Sequence, residues 1–127
     1  MYLEYEIEEL SDHRLIHELV ILLERHFKTQ KRLDFYSDRL EVSLRRLNAI
    51  CIYHLHKTLY ELIQERRFNE SKKLLESSTL SVKEITYYLG FCDPPYFIRY
   101  FKKQTGLTPR RYRLNLLEKW QEEALNQ

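Results

Sequence analysis

Apolar residues recur at helical spacing along most of the chain, and each run marks an element. Leu15, Ile16, Leu19, Val20, Leu22, Leu23 and Phe27 form a stripe that predicts a helix from about Ser11 to Lys28. Leu33, Tyr36, Ser37 and Leu40 mark a short second helix, and Leu47, Ile50 and Cys51 a third, with Ser43 placed to cap it. From Thr58 to about Leu75 no glycine or proline interrupts the apolar faces formed by Leu59, Leu62, Ile63, Phe68, Leu74 and Leu75, and Thr58 with Glu61 makes a capping box. One continuous helix is expected there.

The downstream third has the same grammar with sharper punctuation. Ser81 and Glu84 form a capping box ahead of Val82, Ile85 and Leu89, and Gly90 ends that helix. Asp93 caps the next helix and Pro94 takes its first position, where no amide is needed. Phe97, Tyr100 and Phe101 repeat on its buried side, which leaves Arg99, Lys102 and Lys103 outside. Gly106 closes it, and Thr108-Pro109 opens a final helix. Two short helices across a tight turn, the second with a cationic outer face, describe a helix-turn-helix whose recognition helix enters the major groove of DNA.

These residues also resemble a family. Leu80-Ser81-Val82, Glu84-Ile85, Gly90-Phe91, Asp93-Pro94, Tyr96-Phe97, Arg99, Phe101-Lys102-Lys103, Gly106 and Thr108-Pro109 with Tyr112-Arg113 are similar to the second helix-turn-helix of the AraC/XylS family of bacterial transcription regulators. The resemblance implies a first, more variable copy about fifty residues upstream. Leu33, Tyr36, Ser37 and Leu40 match Val82, Ile85, Thr86 and Leu89 at an offset of 49, and Leu47, Ile50 and Cys51 match Phe97, Tyr100 and Phe101 at 50. Glu41 stands where the family has its turn glycine, and His56 where it has a glycine closing the recognition helix. A non-glycine residue at positive φ is strained by roughly 1 kcal/mol.

The expected architecture is all-α, about seven helices in two homeodomain-like helix-turn-helix subdomains joined by a long linker helix. Its divisions are residues 1–10, an acidic linker or the end of an upstream domain; 11–57, the first subdomain; 58–76, the linker helix; and 77–127, the second subdomain. A linker of about eighteen residues gives a rod of roughly 27 Å, against about 34 Å for one turn of B-DNA. Two recognition helices on successive major grooves would let one monomer read a long asymmetric site, as the family does. A free-standing small regulator and the C-terminal piece of a longer one, with its sensing and dimerising domain elsewhere, compete as readings. The family's habit favours the second.

Charge changes the picture once it is resolved along the chain. The total is only +2, but residues 1–12 hold Glu4, Glu6, Glu8, Glu9 and Asp12 with no Lys or Arg, so residues 13–127 carry +7. Residues 81–113 hold seven cations against Glu84 and Asp93. Phosphate binding needs that local density. The chain has no run of about eighteen apolar residues and residues 1–27 lack the charge layout of a signal peptide, so a cytoplasmic protein without membrane contact is expected. Cys51 on an apolar stripe and Cys92 in a turn have no metal-like spacing and suit a reducing compartment.

Base reading is assigned to Arg45, Arg46 and Asn48 upstream and to Pro95, Ile98 and Arg99 downstream, because arginine suits the guanine edge, a carboxamide suits adenine, and apolar groups meet the thymine methyl. Outward Leu44, Ala49 and Ile52 complete the first recognition face, alanine standing where the family often has a polar or basic reader. Phosphate contact is assigned to Ser43, Thr58, Lys102, Lys103, Thr108 and Arg110, with helix starts at the two threonines offering amides.

Other classes fit less well. His13 and His17, and His54 and His56, lack partners that would complete a metal site, and no Gly-rich loop or nucleophile set occurs, so no catalytic residue, metal or cofactor is expected. A helical protein-interaction module without DNA affinity is the main alternative. RNA binding is disfavoured because the aromatics sit at core spacing. Double-stranded DNA is the expected partner. The resemblance implies RNA polymerase contact and, through a missing N-terminal domain, dimerisation.

Overall fold

The computed structural model describes residues 2–126, and these form seven α-helices with no strand among them. Met1 and Gln127, which the expected boundaries include, lie outside the described residues. The helices are α1 (Tyr2–His26), α2 (Asp34–Arg39), α3 (Leu44–Leu55), α4 (Leu59–Ser77), α5 (Val82–Tyr88), α6 (Pro94–Thr105) and α7 (Pro109–Leu125). The chain divides into two compact units, one up to Arg66 and one from Arg67, so that the division falls within α4.

In the first unit Leu19 and Leu23 of α1, and Phe27 just after it, are buried with Tyr36 of α2, Leu47, Ile50 and Cys51 of α3, and Leu59 and Ile63 of α4. Arg66 closes the edge of this core: its guanidinium donates twice to Glu24, at 2.6 and 2.7 Å, and lies 4.4 Å from the Phe27 ring centre. The second unit is built on aromatics. Phe91, Phe97 and Phe101 are fully buried, with Phe91 and Phe97 centred 4.8 Å apart, Phe68 5.3 Å from Phe101, and Tyr112 5.2 Å from it.

Both turns between paired helices have one hydrogen-bond pattern. Glu41 N donates to Asp38 O and Val42 N to Ser37 O; Gly90 N donates to Tyr87 O and Phe91 N to Thr86 O. This is a Schellman closure, which requires a left-handed residue after the helix. Glu41 stands at φ 57° and Gly90 at 88°. The closures of α3 and α6 repeat the parallel, with His56 at φ 60° donating to Ile52 O and Gly106 at 81° donating to Lys102 O. A Cβ at Gly106 would meet nothing within 4 Å, so φ alone asks for glycine there.

One expected boundary is corrected. The helix predicted to begin near Ser11 begins at Tyr2, and the described part of the acidic 1–10 segment is its first turns. No glycine or proline precedes Gly90, and the upstream residues are good helix formers whose carboxylates favour an N-terminal end. The apolar stripe marks where α1 packs; helix continues beyond it.

Candidate nucleic-acid interface

Helix α3 of the first unit is fixed at both ends. Ser43 Oγ accepts from Arg46 N at 3.1 Å, and Leu47, Ile50 and Cys51 pin the inner face. Burial pushes the Cys51 thiol up to about 11, as suits a packed core residue. Arg45, Arg46, Ala49, Ile52 and Tyr53 are exposed, while Leu44 is half-buried. Tyr53, 71 % exposed, was missed in the sequence because its partner at the 50-residue offset is Lys103, a residue of different chemistry.

Two residues assigned to this surface have work inside the fold. Asn48 is half-buried, and its Oδ1 accepts from Leu59 N at 3.0 Å, tying α3 to the start of α4. One lone pair of the oxygen that the base-reader assignment relies on is thus engaged within the fold. Thr58 likewise completes a capping box: its Oγ1 accepts from Glu61 N at 3.1 Å, and Glu61 Oε1 accepts from Thr58 N at 3.4 Å. With Leu59 N and Glu61 N both satisfied, the start of α4 has fewer amides for phosphate than its sequence suggests.

In the second unit Asp93 Oδ1 accepts from Tyr96 N at 2.8 Å, and Phe97 and Phe101 face inward. Pro95, Arg99, Lys102 and Lys103 are exposed on α6, and Ile98 is half-buried. Thr108 Oγ1 caps α7 through Arg111 N at 3.2 Å, which places exposed Arg110 and Arg111 on its first turn. The structure thus brings Arg99, Lys102 and Lys103 onto one helix surface.

Arg113 is not part of that surface. Its guanidinium donates to four carbonyls: Nε to Leu75 O at 3.0 Å, Nη1 to Leu80 O at 2.6 Å, and Nη2 to Leu74 O and Ser78 O at 3.3 and 3.2 Å. These are carbonyls at the end of α4 and in the loop after it, where helix geometry runs short of amide partners; Leu74 O also accepts from Ser78 N at 3.0 Å. Beside it Tyr112 donates to Glu76 Oε1 at 2.8 Å. Burial, and then Glu76, push the Tyr112 hydroxyl up to about 12.

The histidines pair otherwise than sequence spacing suggests. His13 and His54 have ring centres 5.0 Å apart, and His54 Nε2 lies 3.3 Å from Asp12 Oδ2. Among the described residues no group of three or more His, Cys, Asp or Glu is placed to hold a metal ion, and no helix is long and apolar enough to cross a membrane.

A family model described as a helix-turn-helix domain matches residues 36–115. The chain is similar to the xylose operon regulatory protein of Haemophilus influenzae, 36 % identical over 78 residues, which cover 61 % of this chain and 20 % of that protein. It is 32 % identical over 106 residues to the HTH-type transcriptional activator RhaS of Escherichia fergusonii, covering 84 % of this chain and 38 % of RhaS. It thus spans a fifth to about two-fifths of these relatives. An AraC-type transcriptional regulator structure from Chromobacterium violaceum superposes with a TM-score of 0.76 at 23 % identity, covering 84 % of this chain and 96 % of that one. The DNA-binding domain of the global transcriptional factor AdpA, solved with a target DNA, gives 0.74 at 24 % identity, covering 78 % and 89 %. At these identities the likeness is one of fold.

Proposed function

This chain belongs to the AraC/XylS family of helix-turn-helix regulators, and from that premise we propose that it binds double-stranded DNA sequence-specifically, with α3 and α6 as major-groove readers, to regulate bacterial transcription. The observation that carries this is the duplicated geometry: two helix pairs closed by the same turn, each presenting exposed arginine from a helix held by an inward apolar face. Arg45 and Arg46 read bases from α3, and Arg99 reads from α6 with Pro95 and Ile98 offering apolar contact. Lys102, Lys103 and Arg110 meet phosphates, while Ser43, Thr58 and Thr108 hold the helix starts that face the backbone. No step of this reading calls for catalysis, a metal or a cofactor. RNA polymerase contact, dimerisation through a domain outside these residues, and a cytoplasmic location belong to the same proposal.

Anisotropy titrations on a selected duplex separate the roles. Arg99→Ala should weaken cognate binding by ~1–3 kcal/mol and relax preference at one base pair, whereas Lys102→Ala should weaken binding to every sequence and lower the salt slope by about one. Identical effects of both changes on cognate and random DNA would overturn this division of labour. No salt-dependent affinity at all would favour a protein-interaction module.

A further inference from the structure

Asp12 of α1 stands between two side chains of α3. Its Oδ1 lies 3.9 Å from Arg46 Nη2, and its Oδ2 lies 3.3 Å from His54 Nε2. The exposures rank these groups: the side chain of His54 is 10 % exposed, that of Asp12 24 % and that of Arg46 61 %. The His54 ring is held in turn, with Tyr53 and His13 centred 4.8 and 5.0 Å away. The carboxylate is therefore anchored on its buried side, and the partner open to solvent is Arg46. Glu8, one turn earlier on α1, lines a concavity with Asp12, Arg46, Ala49 and Tyr53.

An arginine on a recognition helix has two uses. Its fork can meet a base edge bidentately, or its charge can neutralise a phosphate. A carboxylate at ion-pair distance tilts that choice. It offsets part of the guanidinium charge and repels an approaching phosphate, while the unengaged edge of the fork keeps its directional donors for an uncharged base. The pair is open to solvent and contributes little to stability, so its consequence lies in binding.

We propose that Asp12 is a specificity-determining positioning residue, which holds Arg46 for base reading and away from phosphate. This rests on the reading of α3 as a DNA-recognition helix. The same contact explains why an acidic helix can run beside a DNA-reading face: Asp12, with Glu8, lowers affinity for arbitrary sequence more than for the right one.

The test uses the full chain, a selected duplex, that duplex with single base-pair substitutions, and a random duplex, each titrated at two salt concentrations. Asp12→Asn should tighten binding to random duplex and steepen its salt slope by about one. It should also lower the cognate-to-random ratio by about fivefold, the size of one modest base contact. The lost preference should fall at the base pair that Arg46→Ala also relaxes, and the double variant should lose no more than Arg46→Ala alone. Asp12→Glu, which keeps the charge, should restore most of the ratio. If Asp12→Asn melts early, Asp12→Ser, which keeps an acceptor for His54, carries the same expectation. An unchanged ratio, or losses that add in the double variant, overturns the role of Asp12 while Arg45→Ala and Arg46→Ala still alter base preference. If neither arginine change alters any preference, the reading of α3 itself has failed, and the role of Asp12 with it.

Discussion

Arg113 and Tyr112 hold the second unit by polar contacts that no apolar pattern reports. Removing the Arg113 guanidinium takes a donor from four carbonyls, of which Leu74 O keeps Ser78 N and Ser78 Oγ, and Arg113→Ala should lower stability by about 2–3 kcal/mol in urea unfolding. Arg113→Lys should recover little, because an ammonium cannot span the same fork. Tyr112 predicts a pH response. Its hydroxyl is raised in the folded state, to about 12, so its contribution is complete below the ordinary tyrosine value of 10.0 and is lost as pH rises from there toward 12. Comparing wild type with Tyr112→Phe by chemical unfolding across that window should show a steeper fall in wild type. The charge count over residues 81–113 includes Arg113 because it sees type and not direction. Asn48 shows the same limit: its helical position suggests a groove, yet the start of α4 comes close enough to engage its oxygen.

At the scale of elements, the two turns show how one backbone is made by different residues. Gly90 and Gly106 adopt positive φ freely, whereas Glu41 and His56 hold it against steric cost and are kept there by the packing and hydrogen bonds around them. Glu41→Gly and His56→Gly should each stabilise the first unit by roughly 0.5–1 kcal/mol, the relief of strain exceeding the added freedom of the unfolded chain. Thermal unfolding of the single variants checks this, and an unchanged or lowered midpoint would mean the strain is absent. These positions were legible because the 49- and 50-residue offsets aligned them with glycines. The start of α1 was not legible, since its first ten residues are helical by propensity and capping charge without a buried stripe to announce it.

Across the whole molecule, a net charge of +2 hides an acidic opening and a basic remainder, and the structure gives that opening a place beside α3 through Asp12. The proposal that both units read DNA rests on a duplicated backbone rather than on total charge. The most direct measurement is selection of preferred sites from a random duplex pool, repeated with Arg45→Ala and Arg99→Ala. Two short motifs should emerge from the wild-type chain, the first degraded by Arg45→Ala and the second by Arg99→Ala, each with the other left intact. A pool that shows no enrichment, or a single motif indifferent to Arg45→Ala, would contradict the claim.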